Sequence, residues 1–288
     1  MKQQKKNNYI SEEYFDSSVY EYDEEYLTPE YIKKSKWDIA IGLQEVDNLK
    51  PSKYLLELQD KNIDGKLSID EVKDELKKYY SNQKSINESE LECDFVSARI
   101  VELLSFNNFK LSVDYLKYIH KYLFQDVYEF AGSFREVNFS KRERILNDDS
   151  VAYGDYKSLN ESLEYDIENE KELDYSKLGI RDVINNITSF SSRIWQVHPF
   201  REGNTRTTAV FIEKYLLDLG YSVDNTLFKD KSIYFRNALV RSNYFNTSKN
   251  IKADNSYLIK FYENLLLKKN NPLHSQDLII EKLFDKKD

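Results

Sequence analysis

WQVHPFREGNTRTT, residues 195–208, joins two segments of regularly spaced apolar residues and concentrates reactive side chains between them. Apolar residues recur every three or four positions over 183–197, and again over 209–219 until Gly220. This spacing predicts two amphipathic helices, the first ending just before Pro199 and the second closed by Gly220. We therefore expect residues 198–203 to form a tight connection between two helices.

The residue types in this connection are those of a phosphate-handling site. A helix that starts after Gly203 with Asn204 as its N-cap presents free backbone N–H groups and a positive dipole end to an anion. Arg206 adds a two-pronged donor for phosphate oxygens. Glu202 then has no charge partner unless it holds a cation such as Mg²⁺. His198 can accept a proton near neutral pH. These residues indicate phosphoryl or nucleotidyl transfer, and the alternative is an ordinary packed histidine after an apolar helix.

The rest of the chain is expected to be helical as well. Among 288 residues there are only 7 Gly and 4 Pro, which favours long helices over a turn-rich sandwich or barrel. Only residues 134–146 alternate enough to indicate a small hairpin. The predicted fold is all-α with one β-hairpin. Helical spacing recurs at 37–46, 54–58, 72–79, 95–104, 116–127, 234–240 and 257–267.

Composition limits the partners and the compartment. A net charge of −8 disfavours binding to duplex nucleic acid, whose affinity depends on phosphate neutralisation. The single cysteine, Cys93, excludes an internal disulfide and fits a reducing compartment. No apolar window approaches the ~18 residues of a spanning helix, and no apolar segment follows the basic N-terminus as in a secretory signal. We expect a soluble, cytoplasmic protein with no nucleic-acid or membrane partner.

A second motif, Asp60–Glu71, matches the calcium loop of an EF-hand at every specified position. Against this interpretation, Ile63 suits a tight loop badly, and no second loop is found although EF-hands usually pair. The alternative is a polar helix–turn–helix connection with Gly65 just past the first helix. The first interpretation predicts a non-catalytic calcium-binding or interaction protein.

Residues 198–206 resemble the signature of the Fic (filamentation induced by cAMP) family, His-Pro-Phe-x-Asp/Glu-Gly-Asn-Gly/Lys-Arg, at every specified position except Thr205. Residues 128–135 are similar to the family's segment leading into its flap hairpin. Residues 138–141 are similar to the flap and 257–267 to the closing helix.

The resemblance implies a Fic-type helical core, and the composition and apolar spacing on either side of that core divide the rest of the chain. That core would span 89–268 and carry the β-hairpin flap. An acidic, tyrosine-rich leader over 1–36 and a short helical extension over 37–88 would precede it. A C-terminal tail over 269–288 would follow.

The resemblance also implies a protein adenylyltransferase, which moves AMP from ATP to a Ser, Thr or Tyr hydroxyl of a protein. His198 would be the base that deprotonates the hydroxyl, and Glu202 would hold Mg²⁺ (or Mn²⁺) between the α- and β-phosphates. The protein target would add a strand to the flap near Asn138–Leu146, and the analogy suggests a homodimer. Because Tyr, Ser and Thr are frequent near the N-terminus, we also expect self-modification within residues 1–31. Phe200 would anchor the loop in the core, and Tyr234 and Asn237 would contribute to an adenine pocket. The implied ATP-binding residues are thus Phe200, Gly203, Asn204, Thr205, Arg206, Thr207, Ser140, Tyr234 and Asn237.

Departures from the family pattern affect the nucleotide and the regulation. Thr205 stands where the signature has Gly, or Lys in the Doc branch, whose members resemble kinases that pass on the γ-phosphate. A Doc-like protein kinase is therefore the alternative activity. Ala209 stands where many relatives have a second arginine for the γ-phosphate. The family's inhibitory pattern is approached most closely at Ser17–Glu21, followed by Tyr22 in place of Gly or Asn. Glu263 and Asn264 match its end, but Ile259 stands in the Ser/Thr position. We predict that autoinhibition by Glu21 is weak or absent.

Overall fold

The computed structural model describes residues 28–221, 223 and 226–284. Ten α-helices and several short 3₁₀ segments follow one another along this part of the chain. The helices are α1 (Pro29–Gly42), α2 (Lys53–Ile63), α3 (Ile69–Ser81), α4 (Glu88–Leu103), α5 (Val113–Phe124), α6 (Leu159–Lys171), α7 (Ile180–Val197), α8 (Asn204–Asp218), α9 (Thr226–Asn243) and α10 (Ser256–Leu267). The 3₁₀ segments are Leu43–Asp47, Arg144–Leu146, Tyr156–Ser158, Tyr175–Lys177, Thr247–Lys249, Ser275–Leu278 and Glu281–Leu283.

Hydroxyl side chains fix where several helices begin. Thr28, Ser52, Ser68 and Ser112 each accept a hydrogen bond from the backbone N–H three residues further on, at the starts of α1, α2, α3 and α5. At α3 the cap is reciprocal, because the Glu71 carboxylate accepts the Ser68 backbone N–H at 2.7 Å. These capping residues are local features of the sequence, and they determine the residue at which each of the four helices begins.

The core is one continuous hydrophobic cluster to which all ten helices contribute. Helix α8 is buried on all sides from Asn204 to Leu216, so it is not the amphipathic helix that its spacing predicted. Helix α1 packs against α4 and α9, and its Trp37 belongs to the same cluster as the residues of α7 and α8. The helices before residue 89 therefore share the core of the helices after it. No helix in the described ranges is both long and apolar enough to cross a membrane.

The all-α prediction is confirmed, whereas the predicted hairpin over 134–146 is wrong. In the described residues β-structure is limited to an isolated bridge between Asn246 and Ile251. Residues 138–149 instead form a loop whose 3₁₀ turn at Arg144–Leu146 buries Ile145 and Leu146 in the core. Left-handed backbone at residues 147 and 148, with φ of 52° and 63°, then reverses the chain. Burial of two consecutive apolar side chains breaks the alternation that a strand would need.

The expected segment boundaries also differ from the helix bounds. Helix α1 begins at Pro29, ahead of the start expected at 37, and α6 was not predicted at all. In the expected tail, Leu278 is buried and the Ile280 N–H donates to the Ile145 carbonyl at 3.1 Å. Residues 1–27, with Ser17 and Glu21, lie outside the described residues.

The Asp60–Glu71 loop has the geometry of the helix–turn–helix connection. Its Asn62 side chain accepts the Trp37 indole N–H at 3.0 Å and donates to the Leu67 carbonyl at 2.9 Å. The Glu71 carboxylate is engaged in the α3 cap. Gly65, with φ of 74°, takes the left-handed position just past α2. Asn62 and Glu71, two side chains that calcium would need, are thus committed to holding the helices together.

Candidate active site

The connection between α7 and α8 is a tight loop closed at both ends. His198 ends α7 in the left-handed region with φ of 49°, and Gly203, with φ of 77°, caps α8. A Cβ at Gly203 would lie 2.5 Å from the Phe124 ring, so only glycine fits there. Asn204 is the first residue of α8 and not the predicted N-cap. Its amide instead bridges back to Phe200, accepting the backbone N–H at 2.9 Å and donating to the carbonyl at 2.8 Å.

The buried His120 of α5 contacts this loop at two of its residues, Phe200 and Glu202. Phe200 is buried, as the resemblance implies, and stacks on the His120 ring with centroids 3.7 Å apart. The His120 Nδ1 accepts the Gly132 backbone N–H at 2.8 Å, so Nε2 carries the proton and donates to the Glu202 carbonyl at 3.1 Å. Burial lowers the pKa of His120 to about 4, which keeps it neutral. Sequence analysis missed His120, because one histidine on an apolar helix face carries no distinguishing pattern.

His198 is held in the protonation state of a base. Its Nδ1 lies 3.2 Å from the Trp195 carbonyl, which can only accept, so Nδ1 carries the proton and Nε2 keeps its lone pair. The ring is 3% exposed. Burial first, and then the positive charge of Lys141, hold the pKa of His198 well below its ordinary value. The neutral imidazole can therefore take up a proton at Nε2.

Arg135 fixes the backbone around His198 and was not predicted as a site residue. Its Nε donates to the His198 carbonyl at 2.8 Å, and its backbone N–H donates to the Pro199 carbonyl at 2.8 Å. The guanidinium also donates to the Val197 carbonyl at 3.3 Å. A left-handed, non-glycine residue is costly unless its surroundings hold it, and Arg135 supplies that hold.

Glu202 offers a single, half-exposed carboxylate beside the N-terminus of α8. The Lys141 ammonium lies 3.3 Å from it. Within the described residues, no three His, Cys, Asp or Glu side chains come together in a metal-holding group. Mg²⁺ is commonly held by one or two carboxylates, with phosphate and water oxygens completing its shell. Glu202 fits that use better than it would fit a cage made only of protein.

Arg206 does not offer the phosphate-binding donor that we expected. Its guanidinium is 1% exposed and donates to the Gln44 amide oxygen at 2.9 Å and to the Glu92 carboxylate at 2.7 Å. The Nε atom lies 2.9 Å from the Asp47 carboxylate, and the group covers the Phe124 ring. Two carboxylates from outside the motif neutralise this arginine, because it would otherwise be a buried, unpaired charge.

The two threonines of the motif face the interior. Thr205, which departs from the signature, accepts the Trp195 indole N–H at 2.9 Å and so ties α8 to α7. Thr207 is buried, and its hydroxyl has no hydrogen-bond partner among residues 28–221, 223 and 226–284. Ser140 is exposed on the loop at 138–149.

A cavity of about 460 Å³ adjoins the motif. Lys141 lines it while contacting Glu202, and Asp47 lines it while contacting Arg206, so two of its lining residues touch the motif. Its size lies within the range of small-molecule sites. The lining residues are 45–48, 141–145, Ile233, Arg236 and Asn237.

Of the two residues expected in an adenine pocket, Asn237 and Tyr234, one lines the cavity and the other does not. Asn237 lines the cavity. Tyr234 does not, because its ring is buried in the core and its hydroxyl donates to the Tyr257 carbonyl at 3.2 Å.

The fold and the loop agree with the family comparisons. Residues 110–216 match the model of the Fic/DOC family. The predicted resemblance to the Fic/DOC family is therefore confirmed over these residues.

Two curated relatives resemble part of the chain. It is 31% identical over 134 residues to the probable protein adenylyltransferase y4lH of Sinorhizobium fredii, covering 43% of this chain and 61% of that protein. It is 32% identical over 115 residues to the protein adenylyltransferase VbhT of Bartonella schoenbuchensis, covering 40% of this chain and 23% of that protein. The chain thus spans less than two thirds of each relative.

Solved structures support the fold over a longer range. A FIC domain containing signaling protein from Bacteroides thetaiotaomicron superposes with a TM-score of 0.58 at 12% identity, covering 93% of this chain and 94% of that one. The N-terminal FIC domain of the Bep8 protein from Bartonella sp. 1-1C gives a TM-score of 0.50 at 19% identity, covering 65% and 88%. At these identities the likeness concerns the fold alone.

Proposed function

We propose that this protein is an adenylyltransferase that moves AMP from ATP to a Ser, Thr or Tyr hydroxyl of a protein target. The observation that carries the proposal is the buried, neutral His198 with its Nε2 lone pair free, set on the loop that opens α8. The names of the two partial relatives, both protein adenylyltransferases, support the same reaction class.

The reaction follows from the state of His198. The target hydroxyl oxygen attacks the α-phosphorus of ATP and passes its proton to His198 Nε2. A bond forms between that oxygen and the α-phosphorus, while the bond from the α-phosphorus to the bridging oxygen of the β-phosphate breaks. Pyrophosphate leaves with the electron pair. Positioning and charge stabilisation provide most of the rate in such transfers.

The cavity beside the loop is the proposed ATP site. The cations of Lys141, Arg142, Arg144 and Arg236 line it, together with Asn237. The first backbone N–H groups of α8, which have no intrahelical partner, would receive phosphate oxygens. Because Arg206 is neutralised by carboxylates, we assign the phosphate charge to Lys141 and the α8 N-terminus instead.

Glu202 would hold Mg²⁺ (or Mn²⁺) in this proposal. When bound, the metal supplies neutralisation of charge on the α- and β-phosphate oxygens. The Lys141 ammonium lies 3.3 Å from the same carboxylate, so this contact must break when Glu202 binds the metal.

The protein target is proposed to lie along the loop near Asn138–Leu146. Residues 138–143 are non-helical, Val137 is 58% exposed, and Ser140 is exposed beside it. A partly exposed, non-helical loop of this kind can pair with a target segment even though no hairpin is present. Self-modification would fall within the tyrosine-rich residues 1–31.

Paired transfer assays test the proposal. The protein is incubated with Mg²⁺ or Mn²⁺, with and without cell lysate, and with ATP labelled at either the α- or the γ-phosphate. We expect label from the α-phosphate only, lost in His198→Ala and retained in His274→Ala, a control at an exposed histidine. Label from the γ-phosphate would identify a Doc-like kinase instead. Absence of both labels from the folded protein would overturn the proposal.

A further inference from the structure

A tyrosine outside the signature covers the imidazole of His198. The Tyr153 ring stacks on it with centroids 4.1 Å apart and planes 28° apart. Trp195 and Phe139 meet the same imidazole edge-on, at 5.1 Å and 5.7 Å. Of these three rings, only Tyr153 lies face to face with the base.

The hydroxyl of Tyr153 is tied to a buried ion pair. It donates to the Glu143 carboxylate at 3.4 Å. The Arg236 Nη2 lies 2.7 Å and 3.0 Å from the two oxygens of that carboxylate, which is almost completely buried. Glu143 also donates its backbone N–H to the Asp149 carbonyl at 3.0 Å. One residue thus links the loop at 138–149, helix α9 and the ring that covers His198.

The hydrogen bonds of His198 do not fix the orientation of its ring, which therefore depends on the stacked Tyr153 ring. Its hydrogen bond to the Trp195 carbonyl is long, at 3.2 Å, and its backbone is in the left-handed region. A single weak hydrogen bond at one edge permits rotation of the imidazole, whereas a face-to-face ring opposes it. Tyr153 also keeps water from one face of the base.

We propose that Tyr153 is a positioning residue for His198, and that the Glu143–Arg236 ion pair holds Tyr153 in place. This inference rests on the proposed function for its effect on the reaction. Its effect on the imidazole can be measured without any nucleotide.

Tyr153→Leu removes the ring and should alter His198 in two ways. Water reaches the imidazole, so the pKa of His198 rises toward the ordinary value. The neighbouring cations, which include Lys141, Arg236 and Arg135, stay in place and keep the pKa below that of a free histidine. Loss of orientation lowers kcat about tenfold while the KM for ATP changes less than about threefold.

Histidine NMR makes the measurement direct, since the chain has only 3 histidines. The imidazole resonances are followed between pH 5 and pH 8 and assigned with His198→Ala. Tyr165→Leu is the matched control, because Tyr165 is 70% exposed. We expect the His198 resonance to titrate at a higher pH in Tyr153→Leu than in wild type, and at the wild-type pH in the control. An unchanged His198 titration in folded Tyr153→Leu would overturn the inference.

Tyr153→Phe serves as a second variant that keeps the stacked ring and loses only the hydroxyl. We expect a fall in kcat of about threefold with a smaller change at His198. Kinetics and titration equal to wild type would overturn the role of the Glu143–Arg236 pair. If the wild-type protein transferred no AMP while the titration changed as expected, the proposed function would fail and the positioning of His198 by Tyr153 would stand.

Discussion

Glu213 lies on α8 with its carboxyl group buried, and we expect Glu213→Gln to stabilise the protein above neutral pH. Neither carboxyl oxygen has a hydrogen-bond partner among the described residues. The same holds for the hydroxyl of Tyr262 on α10, whose pKa is raised by burial and by the charge of Glu213. An ionised carboxylate in such surroundings is far less stable than one in water.

The magnitude follows from proton linkage. The unfolded chain releases the Glu213 proton near pH 4.5, whereas burial raises the pKa in the folded protein to about 8. Between these values the folded protein holds a proton that the unfolded chain lacks, so stability falls as the pH rises. The stability that the protonated Glu213 contributes is fully present below pH 4.5 and is lost as the pH rises through about 8. Linkage gives a loss of about 1 kcal/mol at pH 5 and about 4 kcal/mol at pH 8.

Urea unfolding at pH 5, 6, 7 and 8 compares wild type with Glu213→Gln. Glutamine cannot ionise, so the free energy of unfolding of the variant should exceed that of wild type by an amount that grows by about 3 kcal/mol over this range. Other titrating groups cancel in the difference. Glu161→Gln, at an exposed residue of α6, should give a difference that does not change with pH. A constant difference for Glu213→Gln would refute the reasoning.

Three further substitutions test the packing and the network around the site. Gly42→Ala places a Cβ 2.3 Å from the Phe228 carbonyl oxygen and should cost about 3 kcal/mol in thermal unfolding, whereas Gly179→Ala, with its nearest atom at 3.8 Å, should be tolerated. Gly203→Ala, with φ of 77° and an aromatic ring of α5 at 2.5 Å, should abolish transfer activity; full activity would mean that the loop is not rigid. Asp94→Ala removes the acceptor of three hydrogen bonds that join α2, α3 and α4, and should lower the free energy of unfolding by about 3 kcal/mol; an unchanged urea midpoint would contradict this.

Helices and the loop between α7 and α8 were predictable because their signals are local. Three- and four-residue spacing, one proline and one glycine define that connection within a few residues of sequence. Helix α6 was missed although Leu159, Leu163 and Ile167 recur every four residues and are all buried. Its other positions are mostly polar, which obscured a spacing that was present.

The remaining site features depend on residues that are distant in sequence. The partners of Arg206 come from the Leu43–Asp47 segment and from α4, and no local pattern links Asp47 or Glu92 to the motif. The false hairpin has a similar cause. Ile145 is buried because helices from other parts of the chain pack around it. The sequence of the loop alone carries no information about those helices.

The pairing of Arg206 with Asp47 and Glu92 also bears on how this domain can be cut or transplanted. The family match covers residues 110–216, yet both counter-ions of the signature's arginine lie before it. A fragment trimmed to the match would leave the buried Arg206 guanidinium without either of its counter-ions. Grafting residues 198–206 onto another scaffold would meet the same obstacle. In this protein the signature depends on residues outside it for its stability. Any minimal active fragment must therefore retain α1, the 3₁₀ segment after it and α4.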